Sequence, residues 1–193
     1  TEMSLSSTHL VVITATQWIF AEIAKTILGC ETGMVNLLDG ACQYTIGAAG
    51  RGYDPLLGVP QELTFCQYAL LSPEPFIVPD TSLDERFADS ALTKPPLNCA
   101  FYAGFPLNTP DGVVLGTLCG THSTPLSPGD EQIRMMAKLA TTAASQIQLM
   151  IEQSELTASR IGTMLAKFRQ FAPDGTLDEL MGFLDFCARG TAP

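Results

Sequence analysis

The chain has 193 residues, with ten Lys+Arg against twenty Asp+Glu and a formal net charge of −10. At 46% hydrophobic and 8% aromatic it has the composition of a protein with a core, not of a disordered one, and its length suits one domain with a helical extension. An acidic excess with no basic cluster argues against binding to nucleic acid or to an anionic membrane surface, and no apolar run reaches the ~18 residues a transmembrane helix needs.

Residues 1–7 are read as a tail outside the domain, disordered or added, without the basic start of a secretory signal. Apolar positions at Val12, Trp18, Ile19, Ala21, Ile23, Ile27 and Leu28 predict a helix from about His9 to Leu28, with Gln17, Glu22 and Lys25 on its polar face. Two strands follow, Met34–Leu38 and Gln43–Ala48, joined by an Asp39-Gly40 turn. Thr64-Phe65-Cys66-Gln67 reads as a capping box opening a short helix that ends before Pro73. Phe76–Val78 is a brief strand, and Ser82 is placed to cap a second short helix over 83–92.

Ala100–Leu107 and Val113–Thr121 form the clearest strand pair, connected through Asn108-Thr109-Pro110-Asp111-Gly112. Gly104 and Gly116 within them point to a bulge or a close approach. Ser127-Pro128-Gly129-Asp130 opens a long helix. A heptad follows through Ile133, Met136, Ala140, Ala143, Ile147, Met150, Ile161, Met164 and Phe168, weakened at Ser154 and Thr157. It is read as a dimer seam, continuing as a linker helix over 151–172. A tail over 173–193 follows, with a short helix from Asp178 to Arg189. The order implies an α+β domain, an antiparallel sheet with terminal helices on one face. Six cysteines without a CxxC pair are read as reduced thiols, not as a zinc clip.

Several runs in series carry a family resemblance. They are Phe65-Cys66-Gln67-Tyr68-Ala69, Phe76-Ile77-Val78-Pro79-Asp80 and Asp84-Glu85-Arg86-Phe87-Ala88. Phe101-Tyr102-Ala103-Gly104-Phe105-Pro106-Leu107, Asp111-Gly112, Leu115-Gly116-Thr117-Leu118-Cys119 and Leu139-Ala140 complete the set. In order and spacing they resemble a GAF domain, over about residues 8–150. The resemblance implies a six-stranded antiparallel sheet with flanking helices and a long C-terminal helix. It also implies a small-molecule pocket roofed by the two short helices, a homodimer through the terminal helices and a place in a signalling chain. The candidate pocket residues are Cys66, Tyr68, Asp80, Arg86, Phe101, Tyr102, Thr117 and Cys119. The candidate dimer residues are Ile133, Met136, Ala140, Ala143, Ile147 and Met150.

The sequence departs from many members of the family after the last strand, with Gly120-Thr121-His122 where they carry Val-Ile-Asp. It has no Cys-His dipeptide to anchor a bilin and no Asn-Lys…Phe…Asp-Glu signature for a cyclic nucleotide, so no cofactor is expected. The chain is read as a cytoplasmic, non-catalytic sensory domain, binding an unidentified small molecule and coupled to a downstream module. Cys66, at the start of a capped helix, opens an alternative: a cysteine-based redox sensor or an enzyme like the free-methionine-sulfoxide reductases of this fold, with Cys99 and Cys119 as partners. A purely structural dimerisation module is the third reading.

Overall fold

The computed structural model describes residues 7–50, 58–171 and 176. In chain order the elements are α1 (Ser7–Leu28), β1 (Thr32–Leu38), β2 (Cys42–Ala49), β3 (Val59–Pro60), α2 (Cys66–Ala69), β4 (Phe76–Val78), β5 (Phe101–Asn108), β6 (Val114–His122) and α3 (Asp130–Phe171). Single 3-10 turns lie at Gln61–Leu63 and Ala91–Thr93. The strands form one antiparallel sheet in the order β3-β2-β1-β6-β5-β4. The expected α+β architecture is therefore present, with the long helix at the C-terminal side. The chain divides into two compact units, residues 1–150 and 151–193.

Turn chemistry fixes the hairpins. Between β1 and β2, Asp39 Oδ1 accepts from the backbone N–H of Ala41 and Cys42, and Gly40 takes a φ of 91°. Between β5 and β6, Thr109 Oγ1 accepts from Val113 N while Gly112 adopts a φ of 85°.

One face of the sheet is covered by α1. At Gly33 an added Cβ would lie 2.0 Å from the Ala21 carbonyl oxygen, so strand and helix backbones touch there and only glycine fits. Close approach also decides which side of α1 faces in. Among the described side chains of α1 the buried positions are Gln17, Ala21, Ala24 and Leu28, while Trp18, Ile19 and Ile23 are exposed. Of the predicted apolar face, Ala21 and Leu28 turn inward while Trp18, Ile19 and Ile23 turn outward, and Gln17, predicted polar, faces in: small side chains let the helix sit on the glycines.

The inner side of α3 carries Met136, Ala140, Ala143, Ala144 and Ile147, all at most 2% exposed. Four of the six candidate dimer residues thus belong to this chain's own core and are not open to another copy. Ile133 and Met150 are half-buried. A helix packed on its own domain repeats at i, i+4, i+7, i+8 and i+11, which over a few turns imitates a coiled-coil seam. Gln132 Nε2 donates to the Ile27 carbonyl at 2.7 Å, and Gln17 Nε2 donates to Met150 Sδ at 3.7 Å. Helices α1 and α3 therefore run antiparallel, tied where α1 ends and α3 begins and again midway along each. Helix α3 begins at Asp130, two residues later than a cap at Ser127 with Pro128 as first helical residue predicts, and Gln132 Oε1 takes the Gly129 N–H. Side chains of Thr157, Ile161, Met164 and Phe168, the helix predicted over 178–189 and the tail at 1–6 lie outside the described residues.

Candidate functional site

The opposite face of the sheet supports the site. Alternation along β1 points Thr32, Met34, Asn36 and Leu38 to this side, and β6 contributes Thr117, Cys119 and Thr121. A register shift between Val35 and Asn36 sets Asn36 opposite Thr45 of β2, with Thr117 opposite on β6. Three central strands thus bring their polar side chains to one place.

The roof consists of α2 and the segment 80–93. The capping box does not form: Thr64 Oγ1 donates to the Gln61 carbonyl, and Gln67 Nε2 donates to the carbonyls of Glu62 and Thr64. Phe65 stands at the N-cap position without a side-chain cap. Nor do residues 83–92 form the predicted helix. Asp80 Oδ1 accepts from Ser82 N and Oγ, so Ser82 is a donor to a turn and not a helix cap. Asp84 accepts the Arg86 backbone N–H at 3.0 Å and the guanidinium at 2.9 and 2.6 Å. These local bonds compete with helical ones, and helicity is limited to the turn at Ala91–Thr93, capped by Ser90. Thr81 pins the segment to the sheet, donating from Oγ1 to the Cys99 carbonyl at 2.7 Å.

An aromatic cluster joins roof to floor. Phe65 packs edge-on against Phe87 and Tyr102, and Tyr68 stacks on Phe76, with centroids 4.6–6.0 Å apart. The Arg86 guanidinium lies 4.9–5.5 Å from the centres of Tyr68, Phe76 and Phe87. Its pairing with Asp84 holds that carboxyl below the usual range. Arg86 thus braces the roof.

Between roof and floor lies a cavity of about 720 Å³, within the range of small-ligand sites. Of the candidate pocket residues, Cys66, Tyr68, Arg86 and Tyr102 line it. Asp80 lines a second, more open hollow of about 640 Å³ on the outer side of the same segment, and it is absent from the main cavity. Cys119 and Thr117 lie one layer below, in the floor. Phe101 is fully buried on the helix-covered face, because Tyr102 takes the cavity side and neighbours in a strand alternate. Sequence reasoning missed Gln43, Thr45, Thr121 and His122, which also line the cavity. Alternation was the available signal for Gln43 and Thr45 on β2 and for Thr121 with Cys119 on β6, while His122 adjoins them at the end of its strand. Gln43 Oε1 and His122 Nδ1 are buried without a hydrogen-bond partner.

Beneath the cavity is a polar knot. Asn36 Nδ2 lies 3.4 Å from Cys66 Sγ and 3.3 Å from Cys119 Sγ, and its Oδ1 accepts from Thr45 Oγ1 at 2.8 Å. Tyr102 OH donates to Cys66 Sγ at 3.3 Å. The neighbouring Cys119 thiol and Thr117 hydroxyl, with the hydrogen bonds from Tyr102 and Asn36, outweigh burial and bring Cys66 down to about 7. The same interaction, together with burial, holds Cys119 well above its ordinary value. The sequence reading placed the cause of a lowered Cys66 at a helix N-terminus; the structure places it in side-chain donors. Burial pushes Cys99 up to about 12, and its thiol donates to the Phe101 carbonyl at 3.2 Å. Among the described residues no three metal-ligating side chains converge, and no helix is long and apolar enough to cross a membrane.

Comparison with known proteins agrees with this geometry. A cyclic di-GMP phosphodiesterase of Pseudomonas aeruginosa is 31% identical over 134 residues, 65% of this chain. The match spans only 22% of that protein's length. Among solved structures, the GAF domain of Thermosynechococcus elongatus PixJ in its blue-light absorbing form superposes with a TM-score of 0.60 at 13% identity, covering 84% of this chain and 98% of that one. A type II free methionine-R-sulfoxide reductase from Thermoplasma acidophilum gives 0.58 at 11% identity, covering 75% and 96%. The second GAF domain of DevS from Mycobacterium smegmatis gives 0.55 at 19%, covering 76% and 99%. The GAF domain model matches residues 13–147, well over half the sequence. With a six-stranded antiparallel sheet, helices on one face and a roofed cavity on the other, the chain belongs to the GAF domain family.

Proposed function

We propose that this chain is a non-catalytic sensory module that takes a small molecule into the 720 Å³ cavity and passes its occupancy to the terminal helices of a homodimer. The observation that carries the reading is the roofed cavity itself, walled by aromatic rings and hydroxyl side chains between α2 and the sheet. The chemistry of the walls narrows the ligand. Phe65, Tyr68 and Tyr102 offer flat apolar surface, and Thr45, Thr64 and Thr121 offer hydroxyls. Glu31, Glu62 and Asp89 lie in the wall with a single arginine, itself paired to Asp84. A ring-bearing molecule with N–H donors and no net negative charge suits this lining. No covalent chromophore is part of the proposal.

For the dimer, the support is the outward side of the helix pair. Trp18, Ile19 and Ile23 of α1 are exposed, as are Met135 and Leu149 of α3. The Gln17–Met150 bond sets Trp18 and Leu149 at one level along the pair. The seam is therefore assigned to these outer faces, in place of the heptad. The output is a further module in the cytoplasm. A relative named for cyclic di-GMP hydrolysis makes a nucleotide-second-messenger enzyme one such module.

Native mass spectrometry of the purified chain tests both halves. A dimer carrying a bound small molecule is expected, with Thr121→Phe shedding the molecule and keeping the dimer. An empty monomer at micromolar concentration sinks the proposal.

A further inference from the structure

The knot beneath the cavity has chemistry that ligand binding does not use. Cys66 comes from the roof helix α2 and Cys119 from the central strand β6, and the two are 3% and 0% exposed. A single amide nitrogen, Asn36 Nδ2, reaches both sulfurs, at 3.4 and 3.3 Å. Cys66 lines the cavity and Cys119 does not, so a small reagent entering the cavity meets Cys66 first, with the second sulfur behind it. One further donor, Tyr102 OH, acts on the Cys66 sulfur at 3.3 Å.

The other described cysteines differ in each respect. Cys99 also lines the cavity, but its thiol is spent donating to the Phe101 carbonyl, and burial keeps it protonated. Cys30 donates to the Thr32 carbonyl and lies beside Gly120 and Leu28, under the helices and away from the cavity. Cys42 is absent from the cavity wall.

We propose that Cys66 and Cys119 form a peroxide-reactive pair, Cys66 attacking and Cys119 resolving. The co-reactant is a small hydroperoxide, ROOH. The Cys66 thiolate attacks the terminal oxygen; an S–O bond forms, the O–O bond breaks, and RO⁻ leaves as ROH on taking a proton. Cys66 is oxidised by two electrons to the sulfenic acid, and the peroxide is reduced. The Cys119 sulfur then attacks Cys66 Sγ. An S–S bond forms, the S–O bond breaks, and hydroxide departs as water with the Cys119 proton. The sum is two thiols and ROOH giving a disulfide, ROH and water. Asn36 Nδ2 and Tyr102 OH are positioned to stabilise the attacking thiolate. The product joins α2 to β6 and so ties the roof to the floor.

This step goes beyond ligand sensing and stands without it. The whole chain is treated with a few equivalents of hydrogen peroxide, blocked with an alkylating agent and mapped by peptide mass spectrometry. The expected product weighs about 2 Da less than the reduced chain and contains a Cys66–Cys119 linked peptide. Cys30, Cys42 and Cys99 stay alkylatable, and Cys66 is lost at least tenfold faster than Cys99. The loss reverses with dithiothreitol. In Cys119→Ser the link disappears, and dimedone traps a sulfenic acid at Cys66. Because the linkage map uses the unmodified sequence, a variant that misfolds does not decide the result. Oxidation of Cys42 or Cys99 ahead of Cys66, or oxidation of Cys66 with Cys119 left free, overturns the pair. Either result leaves the ligand reading standing.

Discussion

At the scale of single residues, Asn36 carries more than any other side chain described. Its amide group serves two sulfurs and a threonine, all buried. Asn36→Ala removes these bonds and leaves Thr45 Oγ1 facing an apolar methyl. A loss of about 1–3 kcal/mol is expected in urea denaturation, and Cys66 alkylation should shift toward higher pH because a donor to its thiolate is gone. Cys99 makes the opposite electrostatic statement. Its folded pKa of about 12 lies above the ordinary value of 9.0. The stability it contributes is full below that ordinary value and falls as pH rises from there toward 12, since the unfolded thiol ionises first. Unfolding free energies measured from pH 8 to 11 should therefore decline more steeply in the parent than in Cys99→Ser. Parallel curves would show that Cys99 is not the group responsible.

At the scale of elements, the roof and the α1–sheet contact behave differently. Arg86 braces the roof through three rings and a bidentate carboxylate, yet it is half in solvent. Arg86→Ala should cost only about 1 kcal/mol of global stability, while amide exchange in 80–93 accelerates well beyond that in β1. Arg86→Lys should not restore protection, because an ammonium cannot stack and fork at once. Gly33→Ala acts on the other face. A methyl 2.0 Å from the Ala21 oxygen must push α1 off β1, and a loss of about 3 kcal/mol is expected from calorimetry.

The sequence was informative wherever local chemistry decides structure. Asp39-Gly40 and Pro110-Asp111-Gly112 write their turns into the chain, and the runs beside them pair as expected. It was less informative where partners are distant. Thr64 and Ser82 have the chemistry of caps, yet their hydroxyls bond elsewhere. Trp18 and Ile23 have the spacing of a core stripe, yet glycines in the sheet admit Ala21 and Ala24 instead. Of the site, Cys66, Tyr68, Arg86 and Tyr102 were legible through their runs. The part played by Asn36 was not, because nothing local announces that a bulge will set it between two thiols.

At the scale of the whole molecule, the sole tryptophan gives a direct reading of assembly. Trp18 is 55% exposed in the single chain. If the outer faces of α1 and α3 meet another copy, its emission moves to shorter wavelength with rising concentration. Trp18→Glu should convert the dimer to monomer in sedimentation velocity, with the melting temperature of the domain nearly unchanged. A parent sedimenting as a monomer throughout the micromolar range rules this out. The acidic chain also predicts that salt strengthens the dimer, since like charges on two copies are screened.

The two amide bonds between α1 and α3 have a mechanical corollary. Gln17 and Met150 stand side by side, although nearly the whole unit of 1–150 separates them in the chain. Pulling on those two points loads a short bridge, while the sheet behind it bears little of the tension. Sliding one rod along the other must sacrifice either the Gln17 or the Gln132 clasp, so the pair resists gradual shear and yields in a step. A domain fastened this way is suited to splicing into a longer polypeptide as a stiff insert.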